Sequence, residues 1–358
     1  MTIAALALAT SCGKSDTPTA ASGPVDVRLV VSSGDNTRVG SDKTDNDIRQ
    51  LRVYAFNAKG EKVGYAEADN LQGQNYIPIT LSEDGAINFY VIANDNFGPK
   101  PTVDAAQFTD WASLSKANLE TLKFDLSGFG GWSATDDFVS PMSNNLKDEF
   151  GNDLENNNAY SNPVTVTKPT SGSLVIPVTV QHVLGRLRLM LNKESDDVTI
   201  TLKRAAVYNR PDYFLLYNSG SAGIEYEKNE SLVDEFVVSD IPLGTTQQEV
   251  ARTYLAPNLY GSSDPDTYNA QKTDGTTSTN GLNEAYLLEL TVEFTYSTDT
   301  SERNSERKKY TVYLPRVPRN TSIDVKGTFK GTVVDIKPTF NIMVNAWVER
   351  PIEIPAFE

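Results

Sequence analysis

The sequence predicts a mainly β protein made of antiparallel sandwiches or barrels, with one or two short helices. Three observations carry that reading. Short runs alternate apolar and polar residues, clusters of Asn, Asp and Gly close them, and a single stretch has helical spacing. The chain has 358 residues, enough for about two domains of ordinary size.

The first twelve residues, MTIAALALATSC, form an apolar run too short to span a bilayer as a helix. They have the character of a signal-peptide tail. Ala9, Thr10 and Ser11 are small, as a lipoprotein signal peptidase requires before a cysteine that receives lipid, so Cys12 is the predicted lipidation site. The charged leader that usually precedes such a run is absent, which places the true start upstream of Met1. Free cysteine also packs well in cores, but its place at the end of an apolar leader favours the lipid site. Cys12 is the single cysteine, so intramolecular disulfides and cysteine metal clusters are excluded. Residues 13–24 are small, polar and proline-containing, and read as a flexible tether.

From Val25 the text changes to period-two alternation, with Val25, Val27, Leu29 and Val31 on one face and Asp26 and Arg28 on the other. Ser32 to Asp47 is a polar segment carrying one arginine, Arg38, an exposed basic residue of the kind proteases cut, although loops often carry charges. Within it, SDKTDND has alternating oxygen ligands but lacks the glycine and terminal glutamate of a calcium loop, and a solvated turn explains it better. Strands follow at Leu51–Phe56 and Ile87–Ala93, each closed by turn residues. Trp111, Leu114, Leu119 and Leu122 stand at helical spacings, with Thr109 or Asp110 as N-cap. The Asn-, Ser- and Pro-rich stretch from Ser140 to Ser173 reads as surface loop.

Strands resume at Leu174–Val180, Leu187–Leu191 and Val198–Leu202, where a second domain begins, and continue at Leu287–Phe294, Tyr310–Leu314, Ile323–Phe329 and Phe340–Trp347. The C-terminus runs on as extended apolar chain through Val348, Ile352, Ile354 and Phe357, with no polar tail. Pro351 and Pro355 cannot donate to a ladder, which suits an edge or donated strand, and such a terminus can complete another subunit's sheet.

Catalytic and metal-binding constellations are scarce. His182 is the single histidine, and nothing beside it resembles a nucleophile elbow, so a structural role is expected. The excess of 47 acidic over 32 basic residues opposes nucleic acid as a partner. Trp111, Trp132 and Trp347 could be glycan platforms, yet tryptophan in a strand or helical stripe is more often core or interface.

Taken together, the lipobox cysteine, the first strand VDVRLVV, the arginine-bearing DNTRVG and the strand LRVYAFNAKGE resemble the start of the major subunit precursor of type V pili, the fimbrillins. NFYVIAND, DWASLSKANLETL, PVTVQHVLGRLRLML, TYLAPN, PRNTSIDVKGTFKG and FNIMVNAW extend the resemblance over nearly the whole chain. It implies two tandem transthyretin-like β-sandwich domains, at 25–180 and 181–358, and no enzymatic activity and no cofactor or catalytic residue. It further implies an exported outer-membrane lipoprotein precursor, held by lipid on Cys12, whose mature form lies in extracellular fimbriae that support adhesion. Its partners would be other pilin subunits, including anchor and tip subunits, and an arginine-specific protease cutting at Arg38. The cut would release the strand at 25–31, and the C-terminal strand of a neighbour, about 348–357, would fill the groove. The residue reading leaves open a monomeric lipid-anchored adhesin, a tip or anchor subunit, or a glycan-binding lipoprotein.

Overall fold

A computed structural model describes residues 23–33, 48–71, 76–95, 102–103, 110–125, 140–144, 163–211, 213–217, 233–237, 239–258, 285–297, 303–332 and 335–346. The strands of the first half are β1 (Val25–Ser33), β2 (Leu51–Phe56), β3 (Lys62–Ala68), β4 (Tyr76–Leu81), β5 (Gly85–Ala93), β6 (Thr102–Val103), β7 (Lys123–Asp125), β8 (Met142–Ser143), β9 (Val164–Val166) and β10 (Leu174–His182). Those of the second half are β11 (Gly185–Lys193), β12 (Thr199–Tyr208), β13 (Tyr213–Leu215), β14 (Val233–Val237), β15 (Ile241–Pro242), β16 (Gln248–Leu255), β17 (Leu287–Ser297), β18 (Arg303–Tyr313), β19 (Thr321–Thr332) and β20 (Asp335–Ala346). Helix α1 is Lys116–Thr121.

In the first half, an eight-stranded sheet runs β3-β2-β5-β8-β10-β1-β4, with β9 beside β5. It curls until its two ends meet: the Ser82 amide, just past β4, donates to the Val63 carbonyl of β3 at 2.9 Å. The enclosed core is drawn wholly from residues between Val25 and Val180. In the second half, the sheet β16-β11-β19-β20 and the sheet β14-β12-β17-β18, with β15 beside β12, share a second core drawn from residues between Leu187 and Ile342. Both halves are sandwich-like. Only Val183 and Leu184 separate β10 from β11, so one continuous run of chain serves both cores.

Strand β2 is buried along its whole length because its two faces meet different neighbours. Leu51, Val53 and Ala55 enter the first core, while Tyr54 and Phe56 enter a third cluster with Tyr90, Leu119, Phe124, Phe214, Tyr217 and Tyr254, between the halves. The turn after β2 is made by Asn57, whose Oδ1 accepts from the amides of Lys59 and Glu61 at 3.0 and 2.9 Å, and by Gly60 at φ +80°.

Two sequence expectations are corrected. The single helix spanning Asp110 to Phe124 is instead a 3₁₀ turn at Trp111–Ser113 followed by α1. Asp110 Oδ1 accepts from the Ser113 amide at 2.8 Å, and Ser115 Oγ caps α1 through the Asn118 amide at 3.2 Å. Two capping side chains in six residues compete with helix continuation, and Phe124 is drawn into β7, stacked on Phe214. Leu114, Leu119 and Leu122 are buried, as the spacing predicts. The second correction concerns Ser140 to Ser173. Residues 140–144 are buried, not surface loop, because Asn144 acts as a piece of strand: its Oδ1 accepts from the Val91 amide at 2.7 Å and its Nδ2 donates to Phe89 O at 2.8 Å.

The junction between the halves is polar at its centre. The Arg319 guanidinium donates to Leu216 O at 3.2 Å, Ser143 O and Gln181 O at 3.3 Å, and Ser143 Oγ at 2.9 Å, joining three separate segments. Burial pulls its pKa down to about 10. His182 lies beside it, fully buried, its pKa lowered to about 3 by burial first and then by Arg186 and Arg319.

That histidine sets an acid dependence. A neutral native imidazole means that the unfolded chain binds the extra proton, so stability is lost as pH falls from about 6.5 toward about 3 and is unaffected above that window. Lowering pH from about 6.5 to about 5 is expected to remove about 1.5 kcal/mol through this group. His182→Gln should flatten that part of the urea-midpoint profile; an unchanged slope would show that other groups set it.

Candidate functional site

The feature that stands apart is β1 itself. It is an inner strand, running parallel to β10 with Val27 opposite Leu174 and Ser33 opposite Val180, and antiparallel to β4 with Val25 opposite Leu81 and Val30 opposite Tyr76. Every second residue points inward: Val25, Val27, Leu29 and Val31 are all at most 1% exposed. They pack with Ile77, Ile79, Leu81, Ile176, Val178 and Val180 from the flanking strands. All four predicted first-strand residues are therefore brought together on one buried face.

The outward face is lightly held. Thr80 Oγ1 donates to Asp26 Oδ1 at 2.8 Å, and the Arg28 guanidinium lies 4.7 Å from the centre of the Tyr76 ring. Both flanking strands carry a proline opposite this face, Pro78 across from Arg28 and Pro177 across from Val30. Proline supplies no ladder donor. Burial of four aliphatic side chains adds to the two backbone ladders about 6–12 kcal/mol gross at the usual 1.5–3 kcal/mol each.

The covalent arrangement complements this. After Ser33 the chain reaches the described structure again at Ile48, and Arg38 lies between them in the sequence. One cut there would separate β1 and everything before it from the rest of the chain, leaving only non-covalent contacts. Cys12, Arg38, Val348, Ile352, Ile354 and Phe357 lie outside the described residues, as do Trp132 and Trp347.

Other candidates resolve into packing. Trp111 stacks on Arg52 at 5.1 Å, and its carbonyl accepts from Tyr54 OH at 2.9 Å, so it fastens the 3₁₀ turn to the sheet. Arg52 donates to Asp95 at 2.9 Å and Tyr65 OH at 3.3 Å and pairs with Glu67. Among the described residues, no group of three or more His, Cys, Asp or Glu is placed to hold a metal ion, and no helix is long and apolar enough to cross a membrane.

Sequence reasoning found one wall of the site, the strand Leu174–Val180 within β10, and missed the other. Strand β4, YIPITL, has period-two Ile77, Ile79 and Leu81, but Pro78 interrupts the pattern, and pairing with a strand about 50 residues earlier is a non-local fact.

Leu29→Ala is expected to cost about 2–5 kcal/mol of stability, whereas Arg28→Ala should cost much less. Urea denaturation of the two variants checks this, and an equal loss would mean that the outer contacts hold β1 as firmly as its core face.

No curated protein matches the chain by sequence. The profile of the family described as major fimbrial subunit protein (FimA) matches residues 25–204, just over half of the 358 residues. Among solved structures, a candidate cell adhesion protein from Bacteroides eggerthii is similar at TM-score 0.52 and 14% identity, covering 89% of this chain and 95% of that one. A fimbrial protein from Bacteroides vulgatus is similar at TM-score 0.50 and 10% identity, covering 88% and 98%. At these identities the two structures show the fold alone.

Proposed function

The chain belongs to the major fimbrial subunit (FimA) family, and on that premise we propose that it is a shaft or stalk subunit that polymerises when β1 is cut away and another subunit's strand takes its place. As a fimbrial subunit it belongs to a cell-surface appendage. The observation that carries the reading is the position of β1, an inner strand with four buried aliphatic residues that a single cut would disconnect.

The maturation scheme has three parts. Cys12 carries lipid that takes the precursor to the outer membrane; an arginine-specific protease cuts after Arg38; and loss of Val25, Val27, Leu29 and Val31 opens an apolar groove with unpaired backbone on both sides. The scheme takes the chain as two domains, 25–180 and 181–358, a reading supported by one core drawn from Val25 to Val180 and another from Leu187 to Ile342.

The incoming strand is 348–357 of a neighbouring subunit. Val348, Ile352 and Ile354 share one parity and so one face of an extended strand, with Pro351 and Pro355 on the other. Ile352 and Ile354 then fill adjacent inward sites such as those left by Val27 and Leu29. Phe357, the fourth donor-strand residue, falls on the opposite parity. The contact joins different surfaces of identical subunits, so it propagates as a filament, which supports adhesion together with tip and anchor subunits.

Purified precursor treated with an arginine-specific protease is expected to acquire Val39 as its N-terminus and to form ladders on unboiled gels. Arg38→Ala should abolish the cut, and deletion from Val348 onward should leave cleaved monomers. Polymerisation unaffected by both changes would rule out the scheme, and mature surface protein that still carries lipid on Cys12 would favour a monomeric lipid-anchored adhesin.

A further inference from the structure

Removing an inner strand ordinarily lets its neighbours collapse, so a usable groove needs walls held by something else. For β4 the structure supplies it. The backbone of Gly64 in β3 comes so close to β4 that an added methyl would stand 2.8 Å from Leu81 Cδ2, 3.1 Å from Ile79 Cδ1 and 3.2 Å from Thr80 O. Beside it, the Ser82 amide donates to Val63 O at 2.9 Å. Among the described residues, strand β4 therefore has, besides its side chains in the core, a full ladder to β1 and a packed, hydrogen-bonded corner to β3.

The opposite wall is held at the opposite end. Among the described residues, β10 pairs with β1 from Leu174 to Val180 and with β8 at Gln181 and His182. Gln181 O accepts from Arg319 Nη2 at 3.3 Å. The β4 wall is thus fastened next to Leu81, the partner of Val25, and the β10 wall next to Val180, the partner of Ser33.

We propose that Gly64, with the Ser82–Val63 hydrogen bond, is the positioning element that keeps β4 in place when β1 leaves, so that a strand-wide slot persists for an extended peptide. The ligand class follows from the walls: a segment with aliphatic residues at alternate positions, running antiparallel to β4 and parallel to β10. The role in assembly rests on the reading that β1 is the strand released; the brace itself does not.

Native-state hydrogen exchange on the full-length, uncut chain in low urea tests the brace directly. The amides of Val27 to Val31 are expected to exchange through an opening that leaves the Ser82 amide, which donates to Val63 O and not to β1, protected at least about tenfold more. Equal rates with equal urea dependence in β1 and at Ser82 would overturn the proposal. Gly64→Ala should bring the Ser82 amide into the β1 opening while β2 and β5 keep their protection; a uniform loss over β1, Ser82, β2 and β5 would mean that Gly64 is only a packing residue. Ile79→Val, which removes the Cδ1 that faces Gly64, makes the same comparison on the Ser82 amide should the first variant fold poorly.

A synthetic peptide of residues 25–33 then probes the slot in protein cut at Arg38. Re-entry of the peptide is the expected result, and release of β1 without re-entry overturns the slot. Failure of the cut chain to release β1 would count against the assembly scheme, with the exchange result standing by itself.

Discussion

The fold of the first half depends on one constraint: a buried inner strand of its sheet is also the first of its described strands. Because β1 has neighbours on both sides, it completes two ladders at once and closes the core with four aliphatic side chains. Inner position gives it stability, and the proposed cut at Arg38 would give it independence.

The second half shows what the same arrangement looks like when it is fixed. Strand β11 also lies between an antiparallel neighbour, β16, and a parallel one, β19. There, however, the first strand continues directly from β10, and its polar side chains are locked by charge. Arg188 Nε and Nη2 reach the two oxygens of Asp324 at 2.7 and 2.6 Å, a bidentate pair with the carboxylate largely buried. Such forked pairs fix register as well as adding energy. On β1 the corresponding contacts are an exposed hydroxyl–carboxylate bond and an arginine over a tyrosine ring. One topology is thus built once with charge-locked side chains and once with side chains held mostly by non-directional burial.

How much of this was legible in the sequence follows from which forces act locally. The face of β1 was readable because half-burial imposes alternation, and the Asn57 turn because an asparagine side chain mimics the backbone. The strand β2 was readable but its double burial was not, since Tyr54 and Phe56 are covered by α1 and by the second half, distant in sequence. Ser140 to Asn144 looked like loop because asparagine and serine are loop formers; only the registry of Asn144 against Val91 turns them into structure. His182 was expected to be structural, and its burial beside Arg319 agrees with that reading. The β4 wall was least legible of all, because Pro78 interrupts its alternation and Gly64 carries no local signal beyond being a glycine within a strand.

That last point bears on why the curled sheet meets itself at a glycine. A Cβ at position 64 would push against Leu81 and the Thr80 carbonyl and pry β4 away from β3. With β1 in place the displacement could be absorbed, because β4 would still be held by its ladder along Val25 to Val30. Without β1 nothing among the described strands would hydrogen-bond β4 along its length. The glycine is thus of modest value to the filled sheet and of large value to the emptied one. A residue whose contribution grows when a neighbouring strand is removed is what the proposed exchange of β1 would require.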